Sequence, residues 1–321
     1  MVHRILPRTP GCLLLAFIAT ACGADAAPSP APAPAASAQE VRQLFAYDAQ
    51  APLDIQVVST EKMEGYTLQQ LTYASPLGGR VPALLLLPEG EGPFPGVLVM
   101  HGAPGTARTY LPEAEALARR GAVALAISAP FSRGERLDDP RELLHLDERD
   151  RADQIQLIVD LRRGVDLLLA RPDVAKDRLA YVGRSYGGAQ GGLLAGIETR
   201  IKAYALVVGD GGLVSHFTGP DDTEGPLQSL PPGQAQRWRE LMEPIEPIRW
   251  VGHAAPAHLL FQNGRQDNLV PEADGRAYQA AGSEPKTVLW YDAGHQLNEQ
   301  ADRDRHLWLA QVIGLRTTGA E

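Results

Sequence analysis

A short apolar run, Leu179-Ala180-Tyr181-Val182, passes directly into Gly183-Arg184-Ser185-Tyr186-Gly187, and a stretch of small residues suited to a tightly packed helix follows. No other part of the chain restricts the fold as much. A strand that turns at once into a helix has room for little at its corner. Glycines on both sides let the backbone pass where a Cβ would clash. A serine at such a corner is lifted clear of the sheet, offered to a base, and set beside backbone N–H donors, which is what a weak hydroxyl nucleophile requires.

The surrounding segments fit that reading. Pro95 to Met100 reads as a buried strand ending in His101-Gly102-Ala103-Pro104-Gly105, a turn that can aim a backbone N–H at the serine. The N–H groups of Ala103 and Tyr186 are the expected oxyanion hole. His101 is expected to hold this turn by hydrogen bonds and not to act as a second base. Ala257 to Gln262 is a further buried strand, followed by Asn263 to Pro271 with Asp267. Lys286 to Tyr291 is the last, leading to Asp292-Ala293-Gly294-His295. His295 is therefore the candidate base. A carboxylate must accept its Nδ1–H, and Asp267 is the candidate, with Asp210 and Asp292 as alternatives. Serine, aspartate and histidine occur in that order, unlike the orders of chymotrypsin or subtilisin.

On these motifs the chain resembles the dienelactone-hydrolase-like and acetyl-xylan-esterase-like branch of the α/β-hydrolases, and the catalytic domains of prolyl-oligopeptidase relatives. The resemblance runs from about Thr67 to the C-terminus. It rests on Gly79-Arg80-Val81-Pro82-Ala83, the His101-Gly102 turn, Arg171-Pro172-Asp173-Val174, the Ser185 turn, Gly264 with Asp267 and Val270-Pro271, and Gly294-His295. It implies a mostly parallel central sheet with helices on both faces and a small cap insertion, and acyl transfer through Ser185, His295 and Asp267. Dienelactone hydrolases proper use a cysteine where this chain has Ser185, which favours an ordinary carboxylic ester over a lactone. No cofactor is needed for such chemistry, and His145, His216 and His253 show no zinc-ligand spacing.

The 321 residues suffice for one large domain, expected over residues 41–321. The formal charge of −9 becomes about −11 once Arg4 and Arg8 leave with the leader, which disfavours nucleic acid and any polybasic membrane patch. Residues 1–21 read as a signal peptide, with a basic start, an apolar stretch from Cys12 to Ala21, and small residues at Ala19-Thr20-Ala21. The apolar stretch is shorter than the roughly 20 residues of a membrane span. Cys22 follows directly, the arrangement that lipoprotein signal peptidase reads. Lipidation of Cys22 and a bacterial envelope location are expected, with plain secretion as the alternative. Residues 22–40 are an Ala/Pro-rich tether.

Elsewhere strands alternate with helices, as a doubly wound sheet demands. Arg149 to Ala170 carries apolar residues at helical spacing, and a final helix over about 299–314 is expected to pack Leu307, Leu309 and Val312 on the sheet. Residues 211–247 break the pattern and read as a cap or lid over the site. In the loop after Ile127, Arg133 is a candidate for an acidic substrate group, or else for a salt bridge to a carboxylate such as Glu135. Phe131 belongs to the same candidate pocket. Phe217, Trp238 and Trp250 either line an apolar acyl pocket or only pack the cap. The expected activity is hydrolysis of small or medium acyl esters. A prolyl-oligopeptidase-like peptidase, an acyltransferase and a non-catalytic binding protein on the same fold are the alternatives.

Overall fold

Side chains alternate between the two faces of a strand, and here each face of the sheet receives its own layer of helices. The computed structural model describes residues 37–134, 144–212, 214, 227 and 230–317. The segments expected to be a signal peptide and a tether, Cys22 included, therefore lie almost wholly outside the described residues. Nine strands form one sheet: β1 (Gln56–Met63), β2 (Tyr66–Ala74), β3 (Arg80–Pro88), β4 (Phe94–Met100), β5 (Val123–Ile127), β6 (Val174–Arg184), β7 (Ala203–Val207), β8 (His258–Gly264) and β9 (Lys286–Tyr291). Their spatial order is β1-β2-β3-β5-β4-β6-β7-β8-β9. The first three strands pair antiparallel, and β3 joins β5 antiparallel. From β5 to β9 every pairing is parallel.

On one face Leu98, Met100, Leu125, Tyr181, Tyr204 and Phe261 meet α1 (Ala38–Gln43), α3 (Glu148–Leu169) and α4 (Tyr186–Ile197). On the other, Val97, Val99, Ala124, Ala126, Ala180 and Ala205 meet α2 (Leu111–Arg119) and the C-terminal helix. The alanines on that second face leave room for close helix approach. Between β7 and β8 lie α5 (Pro232–Met242) and the single turn α6 (Pro247–Trp250); α7 (Glu272–Ala281) and α8 (Glu299–Ile313) complete the chain.

One packing expectation needs correction, and one alternative is decided. In α8 Leu307 is 52 % exposed, and Trp308, Leu309 and Ile313 form the buried stripe instead; Val312 packs at its margin. Trp238 and Trp250 are buried as packing residues: Trp238 Nε1 donates to Asp150 of α3 at 2.6 Å, and Trp250 Nε1 donates to the carbonyl of Pro244 at 2.9 Å. Much of residues 213–229, including Phe217, lies outside the described residues. Among the described residues no helix is long and apolar enough to cross a membrane.

Candidate active site

The strand order changes direction around β4, with β5 on one side and β6 on the other. Chains leaving the carboxyl ends of such strands diverge and open a crevice. Ser185 stands there, between β6 and α4, with φ 54° and ψ −118°. That is a left-handed conformation rare for a residue with a side chain. The turn is held from several directions. Ser185 N–H donates to the carbonyl of Val207 at 2.8 Å, and Tyr181 Oη donates to the carbonyl of Gly187 at 2.7 Å. A Cβ on Gly183 would fall on the Gly187 carbonyl, and one on Gly187 would lie 2.5 Å from the Met100 carbonyl oxygen. Only glycine fits at either place.

Ser185, His295 and Asp267 come together. His295 Nε2 lies 2.9 Å from Ser185 Oγ, and His295 Nδ1 lies 2.8 Å from Asp267 Oδ2. The Asp267 side chain is 1 % exposed. Burial alone would raise its pKa, but the hydrogen bonds from His295 and from the N–H groups of Val270 and Leu269 outweigh it and hold the carboxyl below its usual range. Those two N–H groups donate to Oδ1 at 3.0 and 2.9 Å. An ionised carboxylate only accepts, so the imidazole proton is assigned to Nδ1, which leaves Nε2 to accept from the serine hydroxyl. Of the alternative acids, Asp210 accepts from the N–H of Gly212 and Asp292 is an exposed partner of Arg265. Neither is bonded to His295.

Tyr186 opens α4, so its N–H has no acceptor within the helix. The turn carrying Ala103 abuts the serine: a Cβ on Gly102 would lie 3.0 Å from Ser185 Cβ. His101 is buried, and this pushes its pKa down to about 4 against the opposing effect of its bond to Gly102. Its Nε2 accepts from the N–H of Ala129 at 3.1 Å, and its Nδ1 lies 2.8 Å from the Gly102 carbonyl. A neutral ring with the proton on Nδ1 satisfies both bonds, and ties the β4 turn to the β5 turn.

Phe131 packs edge-on against His101 and against Tyr186, with ring centroids 5.8 and 5.3 Å apart. The Tyr186 hydroxyl is spent on Gln154 Oε1 at 2.6 Å. Arg133 does not reach outward as a candidate for a substrate acid. Its guanidinium bonds Asp160 of α3 at 2.6 Å and the Ser128 carbonyl at 3.1 Å. Glu135, the partner considered from sequence, lies outside the described residues. A contact without any signal in the sequence is made by Arg184, whose Nη2 donates to the His295 carbonyl at 2.7 Å. Among the described residues no three His, Cys, Asp or Glu side chains gather as a metal site. The groove between α3 and α5, about 610 Å³ and lined by Arg151, Arg237, Trp238 and Leu241 among others, includes none of the three residues around Ser185.

No protein-family model matches the chain. It is 26 % identical over 235 residues to mitochondrial acyl-coenzyme A thioesterase 2 of Mus musculus, a match covering 68 % of this chain and 48 % of that protein. The chain thus spans about half the length of that curated relative. Among solved structures, acetyl xylan esterase from a Paenibacillus species aligns with a TM-score of 0.67 at 21 % identity, covering 86 % of this chain and 93 % of that one. Acetyl xylan esterase 1 from a Thermoanaerobacterium species aligns with a TM-score of 0.68 at 16 % identity, covering 86 % and 94 %. The fold is that of the α/β-hydrolase superfamily.

Proposed function

We propose that the protein is a serine hydrolase of carboxylic esters with a short acyl group. The observation that carries this reading is the continuous hydrogen-bond chain from Asp267 through His295 to Ser185 Oγ at a strained turn. Strain of this kind persists only where the surroundings over-determine it, and it clusters at functional turns.

In the proposed reaction Ser185 Oγ attacks the ester carbonyl while His295 Nε2 takes its proton. The resulting imidazolium is stabilised by Asp267. The oxyanion is received by the N–H groups of Tyr186 and Ala103, each worth about 3 kcal/mol in comparable sites. The carbon–oxygen bond to the alcohol breaks, and the alcohol leaves with the proton from His295. Water then repeats the sequence on the acyl-enzyme, giving the acid and restoring Ser185. Short acyl groups are favoured by the Phe131 ring packed on Tyr186, the residue after the nucleophile, and by the acetyl group in the names of the structural neighbours.

A second reading, thioester hydrolysis, is favoured by the acyl-coenzyme A thioesterase relative. The test is turnover of p-nitrophenyl acetate, butyrate and octanoate, acetyl-coenzyme A and a peptide p-nitroanilide by wild type and Ser185→Ala. Fastest turnover of acetate, lost in the variant, is the expected result. Preference for the thioester would replace the first reading with the second, and turnover of the anilide alone would replace both with a peptidase.

The proposal extends to location: a bacterial envelope protein lipidated at Cys22, or released by secretion. Metabolic labelling with palmitate, compared between wild type and Cys22→Ser, separates the two.

A further inference from the structure

We propose that Arg184 is a positioning residue that sets the approach of the His295 imidazole to Ser185 through the backbone of the base's own loop. The inference rests on the proposed ester hydrolysis and adds a residue to its machinery.

His295 belongs to neither a strand nor a helix. It lies in the connection between β9, which ends at Tyr291, and α8, which begins at Glu299. The imidazole is 12 % exposed, so its placement depends on how that connection is held. Local bonds shape the loop: Ala293 N–H donates to the Tyr291 carbonyl, Gln266 N–H to the Ala293 carbonyl, and Leu297 N–H to the Gly294 carbonyl. All three run within the loop or to the end of β8. None refers it to the nucleophile.

Arg184 supplies that reference. It is the residue before Ser185, so its backbone is fixed by the same turn that fixes the nucleophile. Its Nη2 reaches the carbonyl of His295 itself at 2.7 Å. A charged donor to a partly buried carbonyl makes a stronger bond than a neutral one. The nucleophile and the base are thereby joined twice: by the Nε2–Oγ bond that the reaction consumes, and by a bond through Arg184 that it leaves intact. Among the described residues no carboxylate lies within ion-pair distance of Arg184, so the side chain is not accounted for by a salt bridge. Misplacement of a reacting group by about 1 Å can cost 10²-fold in rate. The contact therefore bears on turnover more than on substrate binding.

The test compares wild type with Arg184→Met, Arg184→Lys and Arg184→Ala on p-nitrophenyl acetate, with unfolding midpoints measured alongside. Arg184→Met should lower kcat by about 10- to 100-fold with KM within threefold. Arg184→Lys should fall between it and wild type, and added guanidinium chloride at low concentration should restore part of the loss in Arg184→Ala. Arg184→Met turnover within twofold of wild type would overturn the inference. So would a loss that follows a fall in the unfolding midpoint and is rescued by neither lysine nor guanidinium. A wild-type protein that hydrolyses no ester would overturn the proposed function and this inference with it. An active wild type with an equally active Arg184→Met overturns this inference alone.

Discussion

His101 makes the stability of the domain depend on pH between its folded and unfolded pKa values. Buried beside the turn after β4, it is held neutral, with its pKa pushed from 6.5 down to about 4. In the unfolded chain it regains its ordinary value, so between pH 4 and 6.5 the unfolded state binds more protons than the folded one. Stability from this residue is therefore present above pH 6.5 and is lost as pH falls toward 4. The gap corresponds to about 3 kcal/mol when fully developed, and to about 2 kcal/mol between pH 7 and pH 5. His101→Gln removes the titration while keeping an acceptor for the Ala129 N–H. Urea unfolding of both proteins at pH 7 and pH 5 gives two differences to compare, which cancels any fixed cost of the substitution. Wild type should lose about 2 kcal/mol more than the variant over that interval. Equal losses would refute a neutral, buried His101 and with it the account of how the turn after β4 is held.

Ser185→Gly should abolish hydrolysis yet raise stability by about 1 kcal/mol in urea unfolding, because glycine relieves the strain at φ 54° and gives back part of it as chain entropy. Unchanged or lower stability would mean that the turn stores no strain. Phe131→Ala should enlarge the space beside Tyr186 and shift the ratio of kcat/KM for octanoate over acetate upward by about tenfold, on the scale of a few methylene contacts. A constant ratio would remove Phe131 from the acyl pocket. Trp238→Phe should cost about 2–3 kcal/mol of unfolding free energy, since the buried Asp150 carboxylate loses a donor at 2.6 Å; a cost below 0.5 kcal/mol would show that α5 is not anchored there.

What the sequence made legible was local. The strand before Ser185, the glycines around it and the turns after β4, β8 and β9 are each written within a few consecutive residues, and their periodicity follows from burial on two faces. The pairing of His295 with Asp267 was legible for the same reason, since each closes a recognisable strand; Asp210 and Asp292 were the lesser alternatives, and the bond from His295 goes to Asp267. What escaped was set by long side chains meeting across the fold. Arg133 reaches Asp160 on α3, Trp238 reaches Asp150 eighty-eight positions away, and Arg184 reaches the His295 carbonyl. A flexible side chain leaves no periodic trace of its partner. Leu307 misled in the opposite direction: its hydrophobicity suggested burial, but helical spacing puts Trp308, Leu309 and Ile313 on the sheet and turns Leu307 outward.

The central claim is that Ser185 is an activated nucleophile. Fluorophosphonate labelling of the purified protein, with peptide mapping and Ser185→Ala and His295→Ala controls, tests it most directly. The account predicts one label on Ser185, absent in Ser185→Ala and slowed at least 100-fold in His295→Ala. An unlabelled folded wild type, or labelling of another residue, would contradict it.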